Sequence, residues 1–252
     1  MFAHRPMVTI PPPLLAILRT ARRVAVLTGA GISAESGVPT FREAQTGLWA
    51  RYNPEELATP EAFQRNPKLV WDWYVWRRQL VSDAQPNAGH HALVELEQRT
   101  PTFTLITQNV DGLHRRAGSR QVLELHGNLF GTKCFAEEKR VDDWTETDQT
   151  PPRCPQCNAW LRPDVVWFGE SLPVDTLRQA ETATADCQVF FSIGTSALVY
   201  PAAGLPLLAQ QCGATVVEIN PQPTPLSEQA DFLLQGPAGQ VLPALVQQVF
   251  TA

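Results

Sequence analysis

The segment VAVLTGAGISAESGVPTFR, residues 24–42, constrains the fold more than any other part of the chain. It begins with an apolar run rich in β-branched side chains, which ends at Thr28 and Gly29. This order is typical of a buried parallel strand that turns sharply onto a helix. Gly29, Gly31 and Ala34 fit the pattern G-x-G-x-x-G/A, in which the backbone approaches a pyrophosphate at a helix N-terminus. Taken alone, the glycines are equally compatible with a plain tight turn.

The continuation of this segment, from Gly37 to Arg42, is unlike an ordinary dinucleotide-binding fold. It places a glycine, a proline and an arginine where such a fold would build a long helix. Proline and glycine interrupt helices, so we expect a loop that folds over a ligand.

Length and composition favour one large globular unit. The chain has 252 residues, 44% of them hydrophobic, and a formal net charge of −5, which gives no overall basic surface for nucleic acid. We find no apolar run near the ~20 residues that span a bilayer and no secretory signal pattern. Five cysteines, an odd number, suit a reducing compartment. We therefore expect a cytoplasmic protein without nucleic-acid or membrane partners. We also expect it to be a monomer.

Further apolar runs predict a parallel sheet. The runs 102–107, 188–193 and 215–219 each end in small polar residues, where open parallel sheets bind ligands. The predicted fold is a Rossmann-type α/β sheet domain with a smaller inserted lobe. The expected sheet domain is discontinuous and comprises residues 14–46, 86–130 and 165–250. The expected lobe has a helical part, 47–85, rich in tryptophan and proline, and a loop-rich part, 131–164.

Two later motifs, TQNVDGLH at 107–114 and ELHG at 124–127, join the opening segment in a consistent order. Together they resemble the sirtuins, the NAD-dependent protein lysine deacylases, over nearly the whole chain from about Leu14 to Leu245. The resemblance implies NAD as co-substrate and acylated lysine in proteins or peptides as the partner.

Catalytic residues are predicted in both later motifs. Gln108, Asn109 and Asp111 follow a strand, where they can hold a nicotinamide ribose and exclude water. Asn-x-Asp-Gly is also a common turn sequence. His126 is of the type that acts as a general base near neutral pH, although a lone histidine is more often structural.

The resemblance implies roles for particular residues. It gives catalytic roles to His126, Asn109 and Asp111. It gives the nucleotide site a larger set: Gly29, Ala30, Gly31, Ser33, Phe41, Arg42, Gln108, Asn109, Asp111, Gly194, Thr195, Ser196, Asn220 and Ala238.

The resemblance also implies an acyl-lysine site. The stretch 165–170, VVWFGE, matches the family segment that pairs with a substrate peptide by strand addition, and contributes Val166, Phe168 and Gly169. In the branch that removes succinyl and malonyl groups, a tyrosine and an arginine three positions apart bind the acyl carboxylate, and an alanine leaves room. Here these are Tyr74, Arg77 and Ala58. Without the family, the helix is simply amphipathic with an exposed arginine.

The family usually carries a structural zinc held by two cysteine pairs. Cys154 and Cys157 match the second pair, but the first contains Cys134 and then Glu137. A carboxylate can ligate zinc, yet closed structural sites prefer sulfur and nitrogen, so we expect reduced affinity and well below one zinc per chain. If zinc is absent, three aromatic residues are expected to form a small apolar core: Phe135, Trp144 and Trp160.

Two other functions remain compatible with the same nucleotide pocket. Mono-ADP-ribosyl transfer would use NAD with a different acceptor. A sensor that binds NAD without turnover would release no nicotinamide, and the combination of His126, Asn109 and Asp111 speaks against it.

Overall fold

The computed structural model describes residues 9–38, 53–145 and 150–251. Eight strands lie in these ranges: β1 Arg23–Thr28, β2 Thr102–Thr107, β3 Val122–Glu124, β4 Gly127–Cys134, β5 Leu161–Val165, β6 Val189–Ile193, β7 Thr215–Asn220 and β8 Phe232–Gln235. Nine α-helices lie there as well: α1 Pro12–Thr20, α2 Pro54–Leu57, α3 Pro60–Arg65, α4 Pro67–Asp83, α5 Ala88–Arg99, α6 Leu113–Ala117, α7 Val174–Asp186, α8 Leu205–Gln211 and α9 Ala238–Phe250.

Six strands form one sheet in the order β3-β2-β1-β6-β7-β8, and every neighbouring pair is parallel. The Rossmann-type sheet predicted from the apolar runs is confirmed. The strand order changes direction between β1 and β6, and such a switch point is where open α/β sheets bind ligands.

Strand β1 shows why the sheet has helices on both faces. Val24 and Val26 belong to the core cluster that includes residues of α1, α5 and α9. Ala25 and Leu27 belong to a second cluster with residues of α7 and α8. Successive side chains of a strand point to opposite faces, so an unbroken apolar run requires a cover on each side.

The smaller lobe contains α2, α3, α4 and the antiparallel pair β4–β5. The longest of these helices, α4, has 17 residues. Asn66 caps it by accepting a hydrogen bond from the Leu69 N–H, and Pro67 occupies the first turn, where proline is favourable. The division of the chain into the numbered domain ranges remains a prediction.

One local feature differs from the sequence-based expectations. The chain after β1 forms two short 3-10 helices, Ala30–Ile32 and Ala34–Ser36, instead of a regular helix, and ends them at Gly37 with φ 75°. Strand β5 ends at Val165, immediately before the predicted peptide-pairing residues Val166, Phe168 and Gly169, whose role remains a prediction. None of the helices within the described ranges is long and apolar enough to cross a membrane.

The loops after β1 and β6 touch backbone to backbone. A Cβ added to Gly31 would lie 2.7 Å from the Cα of Gly194, which is closer than real Cβ atoms come. We therefore expect Gly31→Ala to destabilise the chain by about 1–3 kcal/mol, as overpacking does. Urea denaturation measures the change. In the matched control Gly204→Ala, the new Cβ would meet only the Tyr200 ring at 3.9 Å, and we expect little loss. Equal losses in both variants would contradict this reading.

Candidate active site

The predicted nucleotide residues that are described lie after the parallel strands or at the start of a helix. Gly29, Ala30, Gly31 and Ser33 follow β1, Gln108, Asn109 and Asp111 follow β2, Gly194, Thr195 and Ser196 follow β6, Asn220 ends β7, and Ala238 begins α9. Phe41 and Arg42 lie outside the described residues. The carboxyl ends of parallel strands share one edge of a sheet, so these loops form a common rim.

The loops after β1 and β6 are joined by main-chain hydrogen bonds. The Gly29 N–H donates to the Ile193 carbonyl at 3.0 Å, and the Gly31 N–H donates to the Gly194 carbonyl at 2.9 Å. The Asn220 amide donates to the Thr195 carbonyl at 2.7 Å and thereby links the loop after β7. The contact between these two loops therefore by itself requires glycine at positions 29 and 31.

A polar cluster connects the first loop to the second. The Ser33 hydroxyl donates to the Asp111 carboxylate at 2.7 Å, and the Asn109 amide donates to the Gly29 carbonyl at 3.1 Å and to Ser33 Oγ at 3.3 Å. The Leu113 N–H donates to the second oxygen of Asp111 at 2.9 Å. Burial raises the pKa of Asp111, and the hydrogen bonds from Leu113 and Ser33 oppose that rise. The carboxylate is thus held in a dry but hydrogen-bonded position.

His126 lies between β3 and β4 beside this cluster. Its Nδ1 is 2.9 Å from the Gln108 carbonyl oxygen, which can only accept, so Nδ1 carries the proton. The Nε2 atom of the neutral ring therefore has a lone pair to accept a proton. Burial lowers the pKa of His126, although the hydrogen bond to Gln108 works in the other direction. The imidazole is consequently neutral near pH 7, as a general base must be.

Two further histidines lie behind the site, and neither was predicted to have a chemical role. His90 and His114 are 0% and 2% exposed, and their ring centroids are 4.8 Å apart. Burial lowers the pKa of His90 to about 4 and also lowers the pKa of His114. Within the described ranges, His90 Nε2 and His114 Nδ1 have no hydrogen-bond partner. Both rings are therefore neutral.

A chain of hydroxyl groups runs from His114 to Asn109. Thr28 Oγ1 donates to Thr107 Oγ1 at 2.8 Å, so its lone pair must accept from His114 Nε2 at 2.9 Å. Thr107 Oγ1 also accepts from the Asn109 N–H at 3.0 Å. His114 therefore helps to orient the strand ends that carry the candidate catalytic residues. The sequence offers no periodic signal for this arrangement.

Three predicted acyl-site residues, Tyr74, Ala58 and Phe168, lie in or beside the core of the smaller lobe. Tyr74 Oη accepts from the Trp167 indole N–H at 2.9 Å, and the Phe168 N–H donates to the Ala58 carbonyl at 2.9 Å. Burial raises the pKa of Tyr74 to about 12, so the phenol remains protonated. The Trp167 side chain was not among the predicted site residues. The position of Trp167 depends on its contact with Tyr74, which lies 93 positions away in the sequence.

Arg77 lies on α4 one turn after Tyr74. Its guanidinium carbon is 5.0 Å from the centroid of the Trp73 ring. Burial lowers the pKa of Arg77, and its interaction with Tyr74 has the opposite effect. The helix therefore brings a phenol and a desolvated cation to one region of the lobe.

A buried ion pair supports the segment that follows β5. Arg162 is 1% exposed and makes a bidentate contact with Glu170, with the second pair of atoms at 2.9 Å. Its guanidinium also lies 3.2 Å from the centre of the Trp167 ring. Burial opposes ionisation of Glu170, but the hydrogen bonds from Arg162 and the Trp167 N–H hold its pKa below the ordinary value. We had not singled out Arg162.

The backbone of this segment is largely satisfied within the protein. The Val166 N–H donates to the His126 carbonyl at 2.9 Å, and the Trp167 N–H donates to Glu170 at 2.8 Å. Gly169 is exposed with φ 87°. The segment thus connects the candidate base to the acyl-site residues.

The three predicted metal-binding cysteines are brought together. The sulfur atoms of Cys134, Cys154 and Cys157 all lie within 4.8 Å of one another. The Glu137 carboxylate is not in this group and pairs with Lys139 at 3.4 Å.

The aromatic core expected in place of zinc does not form as one unit. Phe135 packs on Phe63, with centroids 5.0 Å apart. Trp144 instead packs on Trp71 at 5.9 Å, near the cysteines. Trp160 lies against the lobe core and under Arg153.

Comparisons with known proteins give the family. The Sir2 family profile matches residues 29–201. A protein of Ralstonia nicotianae named NAD-dependent protein deacylase is 55% identical over 236 residues, which cover 94% of this chain and 96% of that protein.

Solved structures agree in fold and sequence. A crystal structure of a Sir2 homolog–NAD complex has a TM-score of 0.90 and 46% identity, covering 98% of this chain and 97% of the other. A structure of Sir2 bound to acetylated peptide has a TM-score of 0.83 and 32% identity, covering 94% and 97%. The chain belongs to the Sir2 family.

The role of His114 can be tested by substitutions that remove or replace its hydrogen bond to Thr28. His114→Phe keeps a flat ring but removes the donor to Thr28, and we expect the free energy of unfolding to fall by about 0.5–1.5 kcal/mol, the usual contribution of one hydrogen bond. His114→Gln supplies an amide N–H and should recover part of the loss. Urea denaturation measures both, with the exposed His91→Gln as control. If the glutamine variant is no better than phenylalanine, ring packing alone matters.

Proposed function

We propose that this chain is an NAD-dependent protein lysine deacylase that removes succinyl and malonyl groups as well as acetyl. Membership of the Sir2 family and the deacylase name of a relative at 55% identity support the deacylase activity. The observation that carries the chemistry is His126, a neutral imidazole whose Nδ1 is bound by Gln108 and whose Nε2 is the basic atom.

NAD is proposed to lie along the rim formed by the loops after β1, β2, β6 and β7. A Sir2 homolog with 46% identity was solved as a complex with NAD. Asn109 and Asp111 would contact the nicotinamide and its ribose, and Gln108 the ribose hydroxyls. Thr195, Ser196 and Asn220 would hold the adenosine and phosphates, together with Phe41, Arg42 and Ala238.

NAD supplies a ribose carbon that is attacked by the acyl oxygen of the substrate as nicotinamide leaves. His126 takes a proton from a ribose hydroxyl at Nε2. The dry surroundings of Asn109 and Asp111 strengthen electrostatic interactions and keep competing water out. The ribose oxygen deprotonated by His126 would then attack the acyl carbon, and one water molecule, admitted after nicotinamide has left, would complete cleavage of the C–N bond to the lysine. The proposed products, formed with consumption of that water, are nicotinamide, the free lysine and 2′-O-acyl-ADP-ribose.

The substrate peptide is proposed to bind along residues 166–169, between His126 and the acyl site. A related Sir2 structure is bound to acetylated peptide. Because the N–H groups of Val166, Trp167 and Phe168 already have partners in the protein, pairing with a peptide would rely on the remaining backbone groups of this segment, including those of Gly169.

The acidic acyl preference rests on Tyr74 and Arg77. Tyr74 Oη already accepts from Trp167, so its own proton is left to donate to an incoming carboxylate. A desolvated guanidinium gains more from a carboxylate than an exposed one does. The Ala58 carbonyl accepts a hydrogen bond from the Phe168 N–H, and its short side chain, in a residue that is 3% exposed, is proposed to leave room for the acyl group.

The function and its acyl preference are tested with one peptide carrying acetyl-, succinyl-, malonyl- or glutaryl-lysine, by measuring nicotinamide release from NAD. We expect Arg77→Met to lower kcat/KM for succinyl-lysine about 10- to 100-fold, the equivalent of about 1.5–3 kcal/mol for a hydrogen bond to a charged group, and to spare acetyl-lysine. Arg78→Met is the matched control, because Arg78 stacks on Trp71 in the same helix at 4.9 Å. Equal losses on both acyl groups in the Arg77 variant would show that this arginine only supports the lobe.

The role of His126 predicts a particular pH dependence. A base is lost as pH falls through its pKa, and burial lowers the pKa of His126. The acid limb of kcat/KM, which reports the free enzyme, should therefore lie below about 6.5, the ordinary histidine value.

His126→Ala should lower turnover about 10²- to 10⁴-fold, the usual contribution of general-base catalysis, while calorimetry still detects NAD binding. Near-normal turnover in this variant would remove the histidine from the mechanism.

A further inference from the structure

Two short segments of the smaller lobe, residues 133–140 and 153–160, have the same backbone pattern, displaced by 20 positions (153 − 133). The first and last residues of each segment form an antiparallel bridge. The Cys134 N–H donates to the Lys139 carbonyl at 2.9 Å, and the Cys154 N–H donates to the Ala159 carbonyl at 2.7 Å. The segments are therefore two copies of one turn.

The correspondence extends to the tip of each turn. The Glu138 N–H donates to the Cys134 carbonyl at 3.0 Å, and the Asn158 N–H donates to the Cys154 carbonyl at 2.9 Å. Glu138 and Asn158 both have left-handed backbone, with φ 55° and 60°. Asparagine adopts this conformation readily, but glutamate seldom does. The first turn thus keeps its shape although its own sequence does not favour it.

The two turns can therefore be matched residue by residue. Glu137 precedes Glu138 as Cys157 precedes Asn158, so the backbone places Glu137 where a second cysteine of the first pair would stand. The three sulfurs lie within 4.8 Å of one another, with 3.4 Å between Cys134 and Cys157. A tetrahedral zinc with Zn–S bonds of about 2.3 Å has sulfurs roughly 3.8 Å apart, a separation between the 3.4 Å contact and the 4.8 Å limit.

We propose that Glu137 is the fourth ligand of a zinc ion held by Cys134, Cys154 and Cys157. A carboxylate oxygen binds zinc at about 2.0–2.2 Å, so a carboxylate can replace a thiolate in the set. In the structure the Glu137 carboxylate pairs with Lys139, and these side chains are 38% and 74% exposed. An exposed pair of this kind contributes little, so its loss does not prevent Glu137 from turning to a metal.

This assignment modifies our sequence-based expectation of little bound zinc. That expectation considered only the type of residue at position 137. The repeated turn adds a backbone that is already shaped for four ligands, and a preformed site reduces the ordering that binding must otherwise drive.

The test is metal binding to the full chain, kept reduced, with a competing chelator. Zinc affinity is measured directly, and Co²⁺ is used as a probe whose absorption reports the number of thiolate ligands. We expect a stoichiometric site in the unaltered protein. Glu137→Gln should weaken binding by at least about 10- to 100-fold, the range seen when even outer-shell partners of a metal site are removed. Glu137→Cys should tighten binding and raise the thiolate-to-cobalt absorption.

Two neighbouring variants serve as controls. Glu138→Gln changes the adjacent carboxylate and should leave the affinity unchanged, whereas Lys139→Met removes the competing cation and should increase it. If Glu137→Gln binds as tightly as the unaltered protein with the same cobalt spectrum, Glu137 is not a ligand. Absence of metal binding in the unaltered, reduced chain would also overturn the proposal. None of these readings depends on the deacylase activity, so a failed activity assay leaves them intact.

Discussion

The whole candidate site depends on the close approach of two backbone loops at the centre of the parallel sheet. Gly29 and Gly31 bond to the carbonyls of Ile193 and Gly194, at separations that no side chain would allow. This contact joins the strands on either side of the switch point. Because the loop after β2 then bonds back to the first loop through Asn109, three strand ends become one rigid rim. Preorganisation of this kind is what electrostatic catalysis requires.

Within the rim, the chemical state of each candidate catalytic side chain depends more on its hydrogen-bond partners than on its residue type. Gln108 determines the tautomer of His126 through a main-chain oxygen. Ser33 and Leu113 satisfy both oxygens of the buried Asp111 carboxylate. A buried polar group without such bonds would cost about 1–3 kcal/mol, so these contacts allow polar chemistry in a dry site.

Much of the fold follows from sequence because its strands are buried on both faces. Apolar runs with small polar ends predicted β1, β2, β6 and β7 and the parallel sheet. Their ends and the length of α4 depended on caps and packing that periodicity does not encode. The partner of Tyr74 was not predictable, because Trp167 reaches it through tertiary folding. The same holds for the hydroxyl chain from His114, whose members lie on separate strands and a helix. Residue roles taken from the family resemblance remain predictions.

The acyl-site residues and the sheet residues belong to different apolar clusters. Tyr74, Ala58 and Trp167 pack in the lobe core, whereas the strands fill two cores of their own. Substitutions in well-separated clusters have nearly additive effects on stability. The lobe core is not fully separate from the nucleotide rim, however, because Val110, which lies between Asn109 and Asp111, packs against it. A change of substrate range that repacks α4 is therefore constrained by the loop that carries the candidate catalytic residues.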